Sequence, residues 1–138
     1  YEDRLGERIR WICPHREIVN AGIPMMFGTD GMPSSMLFAI YLATHAEHMH
    51  QRLTFKEALL ASTLTVSHFE SDLRGALKEG YKADIIVADP KLIRELADGD
   101  ADVRSYEQGD TANQKVAELE STIQRVYKNG VEVYHKES

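Results

Sequence analysis

Gly28-Thr29-Asp30-Gly31 is the segment of this sequence best suited to chemistry. It follows Ile23-Pro24-Met25-Met26-Phe27, whose unbroken apolarity predicts, over residues 23–28, a parallel strand covered on both faces. Asp30 then sits just past the carboxyl end of that strand, where α/β barrels place catalytic groups. A carboxylate there can ligate a divalent metal or take a proton from a metal-bound water. The same letters also make an ordinary Asp-Gly turn, and spacing alone leaves both readings open.

His45, His48 and His50 form the second candidate, since three histidines so close can supply metal ligands. On a continuous helix His45 and His48 would share one face. The run lies where a helix is expected to stop, with Glu47 as its nearest carboxylate, so a polar helix terminus is the reading the residues favour. His15, His68 and His135 stand alone and read as surface or core-edge residues. Ser34 and Ser35 lack the strand–turn–helix context of a nucleophile and read as helix caps. Cys13, the single cysteine, sits between Trp11 and Pro14 and reads as a small buried apolar residue. It allows neither an intrachain disulfide nor a cysteine-based zinc site. Neither strand-to-helix junction carries a glycine-rich phosphate loop.

The elements that must position these residues follow an α/β rhythm. A roughly helical pattern over 2–12 is interrupted by Pro14, and 15–21 predict a short helix stopped by Gly22. After the strand at 23–28, an apolar helix runs from Ser34 or Ser35 to about Glu47. Thr54-Phe-Lys-Glu57 is a capping box that starts the next helix, with a further helical stretch near 65–70. Ile85 to Asp89 predict a buried strand stopped by Pro90. Helices follow at Lys91–Ala97 and Thr111–Glu120, separated by a solvated loop over 98–110. Two β-rich runs, 122–128 and 131–134, flank Asn129-Gly130, the pair that accepts positive φ in a tight hairpin.

Charge and length bound what such a chain does. Sixteen basic against 22 acidic side chains leave a net charge of −6, and no basic stripe exists to neutralise phosphates, which argues against nucleic acid as a partner. Much of the excess lies in 98–110, where Asp98, Asp100, Asp102, Glu107 and Asp110 face Arg104 alone. No apolar run predicts a membrane span and no leader opens the chain, so a cytoplasmic protein is expected. The 138 residues suffice for one domain with a real core, yet a closed α/β barrel needs about 250. A chain that opens on Tyr1 is expected to be a piece of something longer.

Four motifs in order give the sequence a likeness to a known family. Arg4-Leu-Gly-Glu-Arg8, Pro14, Ala21-Gly22-Ile23-Pro24 and Phe27-Gly28-Thr29-Asp30 resemble the approach to the last barrel strand in metal-dependent amidohydrolases, above all the exoenzyme-regulator type. Arg52-Leu-Thr-Phe-Lys-Glu57-Ala58-Leu59 resembles the family's R-L-T/S-x-x-E-A-L helix start. Gly75-Ala-Leu-Lys-Glu-Gly80-Tyr-Lys-Ala-Asp84-Ile-Ile-Val-Ala-Asp89 is similar to G-S-L-x-x-G-x-x-A-D-L-V-V-L-D, the return into a small β-sandwich. Val126-Tyr-Lys-Asn-Gly130-Val-Glu-Val133-Tyr134 resembles the closing V-x-x-N-G-x-x-V-Y hairpin.

The resemblance implies an α/β fold: the C-terminal portion of a (β/α)8 barrel followed by strands of a small β-sandwich. Residues 1–74 would hold the last barrel strand with its flanking helices. Residues 75–138 would hold the return segment and the sandwich strands, with 98–110 as an acidic insertion. It makes Asp30 the last-strand aspartate, which contacts the metal, accepts the proton of the attacking water and passes it to the leaving nitrogen. The implied activity is metal-dependent hydrolysis of a non-peptide carbon–nitrogen bond in a small-molecule substrate, with zinc as the divalent metal of the intact enzyme. The other metal ligands would lie upstream of Tyr1; His48-Met-His50 has matching letters but follows the last strand. This chain alone is therefore expected to hold no metal and to be inactive. The alternative is a truncated, non-catalytic fragment acting as an oligomerisation or binding module. A homo-oligomer without nucleic-acid or membrane partners is expected either way.

Overall fold

The run Met36-Leu-Phe-Ala-Ile-Tyr-Leu-Ala-Thr44 is apolar on every side, and such a helix is stable only when covered all round. In a computed structural model, which describes residues 2–30, 33–46, 49–70, 72–97 and 109–137, this run is helix α3 (Met36–Thr44). It packs on α4 (Phe55–Ser62), α5 (Lys91–Ala97) and α6 (Gly109–Glu120). Phe38, Ile40, Tyr41 and Ala43 are buried there with Leu53, Ala58, Leu92, Leu96, Ala112 and Leu119. Each fully buried large side chain contributes roughly 1.5–3 kcal/mol, so this cluster is the main favourable term among the described residues.

Before it come α1 (Glu2–Leu5), a 3-10 turn at Gly6–Trp11 and α2 (His15–Asn20). Cys13, expected to be buried, is exposed. It occupies the left-handed turn before α2 at φ 52°, and its carbonyl accepts the His15 N–H at 2.7 Å. Gly22 stops α2 as predicted. At φ 68° it donates to the Val19 carbonyl at 3.0 Å, while Ile23 donates to Ile18 at 3.2 Å, closing the helix end with left-handed glycine geometry.

The strand expected over residues 23–28 does not form. Residues 23–29 run without a ladder, tied to α4 by the Phe27 N–H on the Ala61 carbonyl at 3.3 Å. A strand exists through a neighbour that takes its backbone groups, and the described residues place none beside it. Helix α3 also ends before the expected Glu47. The Thr44 hydroxyl bonds back to the Ile40 and Tyr41 carbonyls at 3.2 and 3.0 Å, and His45 is the C-cap.

Thr54 and Glu57 make the predicted capping box. Glu57 N–H donates to Thr54 Oγ1 at 3.3 Å and Thr54 N–H to Glu57 Oε2 at 2.7 Å. Short 3-10 helices at Met49–Gln51 and Leu64–His68 flank α4, the second being the short helical stretch expected near 65–70. Helix α6 begins at Gly109, two residues before the predicted start, and the rest of the acidic stretch, 98–108, lies outside the described residues.

The sheet has antiparallel order β1 (Ile85–Ala88), β2 (Ile123–Lys128), β3 (Val131–His135), with Ile86 opposite Val126 and Val126 opposite Tyr134. Asn129 at φ 51° and Gly130 at φ 79° form the predicted hairpin turn. The chain just before β1 clamps that turn: Asp84 Oδ1 accepts the Asn129 N–H and the Ala83 carbonyl accepts the Gly130 N–H, both at 2.9 Å. Strand β1 was expected to be buried, but Ile86 and Val87 are exposed, because no described layer covers them.

Gly75 lies between the Leu64–His68 3-10 helix and β1 at φ 78°, where an added Cβ would lie 2.5 Å from the carbonyl carbon and oxygen of Thr63. Left-handed strain and a clash with backbone act together, so Gly75→Ala is expected to destabilise the protein by about 2–4 kcal/mol in urea denaturation. A loss under about 0.5 kcal/mol, the range of neutral surface changes, would refute the close approach.

Candidate functional site

Met25 and Phe27 anchor the unladdered segment against the core, while Ile23 and Met26 face outward. Three residues beyond Phe27 the chain turns at Asp30, which is exposed at φ 46°. Aspartate tolerates this left-handed conformation because its short polar side chain satisfies nearby backbone. Asp30 therefore ends an anchored segment with its carboxylate open to solvent, as a ligand or proton acceptor requires.

A catalytic zinc needs three protein ligands, and no three His, Cys, Asp or Glu side chains gather to hold a metal among the described residues. The described residues by themselves do not fit such a metal.

The strongest charged constellation lies on the elements flanking this segment. Arg16, on α2, presents its guanidinium to Glu57 in a fork, with Nη1 on Oε1 and Nη2 on Oε2, both at 2.8 Å. Its Nε and Nη2 also donate to the Arg52 carbonyl at 3.2 and 2.7 Å, and its backbone N–H donates to Gln51 Oε1 at 3.1 Å. The bond from Arg16, together with the amide and hydroxyl of Thr54, outweighs burial and holds the Glu57 carboxyl at a pKa of about 2. Sequence reasoning found the capping role of Glu57 but not Arg16, since a partner 41 residues away leaves no local pattern.

Of the three clustered histidines, His45 and His50 are described. His45 is 1% exposed, its ring stacked on Tyr41 at 4.1 Å and its Nδ1 2.9 Å from the Tyr41 carbonyl; His50 is exposed in a 3-10 turn. His48 lies outside the described residues, so the shared-face reading of His45 with His48 is untouched beyond the end of α3 at Thr44. His15 is half-buried against the Phe27 ring at 5.6 Å, and burial holds its pKa below the ordinary imidazole value. His135 is exposed beside Glu132. Ser35 is the N-cap of α3 by position only: its side chain makes no cap bond, and its buried hydroxyl finds no partner among the described residues. Ser34 is exposed.

A second missed feature is Lys115, 8% exposed, whose Nζ meets Glu95 at 2.8 Å, Glu118 at 3.1 Å and the Tyr41 ring at 4.8 Å. Burial works against its charge, but the two carboxylates prevail and its pKa lies above the ordinary value. The arrangement ties α6 to α5 and α3.

Compared with known proteins, the chain matches the model of the amidohydrolase family over residues 1–134, and it belongs to that family. An imidazolonepropionase from Geobacillus thermodenitrificans (strain NG80-2) is 33% identical to it over 75 residues. That stretch is 52% of this chain but 18% of the relative, so the chain spans only a minor part of the relative's length. No solved structure matches it. Among the described residues no helix is long and apolar enough to cross a membrane.

The lowered pKa of Glu57 has a consequence for stability. Its folded value of about 2 lies below the ordinary 4.5, so its contribution is complete above 4.5 and is lost as pH falls toward 2. With partial exposure taken into account this amounts to about 1–3 kcal/mol. Chemical denaturation at pH 7 and pH 2.5 should show Glu57→Gln less stable than wild type by that amount at the higher pH and closer to it at the lower. An equal gap at both would refute the ion pair.

Proposed function

We propose that this chain is the C-terminal region of a metal-dependent amidohydrolase of the exoenzyme-regulator type, which hydrolyses a non-peptide carbon–nitrogen bond in a small molecule. The observation that carries this reading is the family match over residues 1–134, with Asp30 exposed at the end of an anchored segment. In the intact protein residues 23–28 become the last strand of a (β/α)8 barrel, laddered by strands that this chain does not supply. Residues 1–74 form the barrel end, and 75–138 bring the chain back into a small β-sandwich through the acidic insertion.

Asp30 would be one of the residues that hold a divalent metal, zinc in this reading, which would supply Lewis-acid activation of water, and its carboxylate is the proton carrier. Water adds to the carbon, the carbon–nitrogen bond breaks, and the proton that Asp30 accepts from the water goes to the departing nitrogen. An amide-like nitrogen is a poor leaving group until protonated, so a carboxylate able to receive and return one proton lowers both barriers. The remaining ligands come from outside this chain, and the protein is a cytoplasmic homo-oligomer.

The test uses the full-length polypeptide and imidazolonepropionate as the first probe, followed by other cyclic amides. Asp30→Asn should lower kcat/KM by at least about a hundredfold with the melting temperature unchanged. Wild-type activity in that variant would overturn the role of Asp30, and hydrolysis by the 138 residues alone would overturn the C-terminal-region reading.

A second reading, a non-catalytic module that self-associates, is favoured by one observation: Phe69, Leu77, Val131 and Val133 are 62%, 86%, 65% and 58% exposed. Apolar surface of this kind is commonly covered by a partner. Sedimentation equilibrium of this chain should then give a dimer or larger species at micromolar concentration; a monomer throughout would rule it out.

A further inference from the structure

Two separate contacts hold Phe27, three residues before Asp30, and each comes from an element joined by the Arg16–Glu57 fork. From α2, the ring of His15, the neighbour of Arg16, lies 5.6 Å from the Phe27 ring. From α4, the Ala61 carbonyl, one helical turn past Glu57, accepts the Phe27 N–H at 3.3 Å. Between the two halves of the fork runs all of the chain from Glu17 to Lys56, including Asp30 and α3.

We propose that Arg16 is a positioning residue for Asp30: its fork on Glu57 fixes the spacing of α2 and α4, and that spacing sets the place from which the Asp30 turn projects. The proposal rests on the reading of Asp30 as the functional carboxylate. The geometry gives Arg16 this role in three ways. A fork of two parallel bonds fixes direction as well as distance, which a single bond from lysine does not. The Arg52 carbonyl takes two further guanidinium bonds, so the plane of the fork cannot swing. Glu57 Oε2 also receives the Thr54 amide, so the carboxylate is locked into the start of α4 and carries the whole helix with it. Among the described residues, Met25 and Phe27 pack on the core, and the contacts from α2 and α4 add direction to that anchoring three residues before the turn.

The test compares Arg16→Lys and Glu57→Gln, which keep a cation and a capping side chain respectively, with Asp72→Asn, which loosens an exposed ion pair to Arg74 and Lys82 far along the chain. Amide hydrogen exchange on this chain should speed up at Phe27 by roughly tenfold in the first two variants, with Val126 in the hairpin unchanged, and stay at wild-type rate at Phe27 in the third. In the full-length polypeptide, Arg16→Lys should lower kcat roughly tenfold at constant KM, the mark of a displaced group rather than weakened binding. Unchanged exchange at Phe27, or faster exchange with unchanged kcat, overturns the positioning role while leaving Asp30 untouched. Wild-type activity in Asp30→Asn overturns the underlying reading of the site, whatever the exchange data show.

Discussion

Helix α3 is apolar all round, and much of the described structure follows from covering it, with Met36 and Leu42 left exposed. Its apolar circumference draws α4 from one part of the sequence and α5 and α6 from another into a shared core, so residues far apart in the chain meet around Tyr41. The cost of bringing them together falls on polar groups carried inward with the helices. Lys115 is the clearest case: it becomes buried because α6 packs there, and it stays charged because Glu95 and Glu118 go with it. Removing one partner of such a group costs more than the group contributes intact, since an uncompensated charge is left behind.

On the other side of α3 the constraint is directional. The Arg16–Glu57 fork, the Arg52 carbonyl and the capping box share one carboxylate, so helix start and tertiary contact are the same interaction. That economy explains why a capping-box glutamate, worth about 1 kcal/mol as a cap, has a pKa as low as about 2. The segment leading to Asp30 touches the elements this fork joins, at His15 and Ala61, and runs to an exposed turn. The chain belongs to the amidohydrolase family, and among the described residues no three metal-ligating side chains gather at this turn or elsewhere.

The sheet is a different kind of object. Its strands pair well and its turn is clamped by Asp84, yet Ile86, Val131, Val133 and Tyr134 stand in solvent. Hydrogen bonding within a ladder is satisfied locally, whereas covering the faces of a sheet needs a second layer. The unladdered run at residues 23–29 poses the same requirement at the level of backbone groups.

What the sequence alone determined was whatever closes within a few residues. Gly22 ends α2, Thr54 and Glu57 start α4, and Asn129-Gly130 turns the hairpin, because each depends on a φ value or a hydrogen bond between near neighbours. The position of Asp30 in the chain was legible for the same reason, as a turn after an apolar run. The tertiary structure decided everything that needed a distant partner: that Arg16 finds Glu57, that Lys115 is buried, that Cys13 is not, and that residues 23–28 hold no ladder. Apolar burial is non-directional and does not say which surfaces meet, and a strand's backbone bonds are made only by the neighbour it is given.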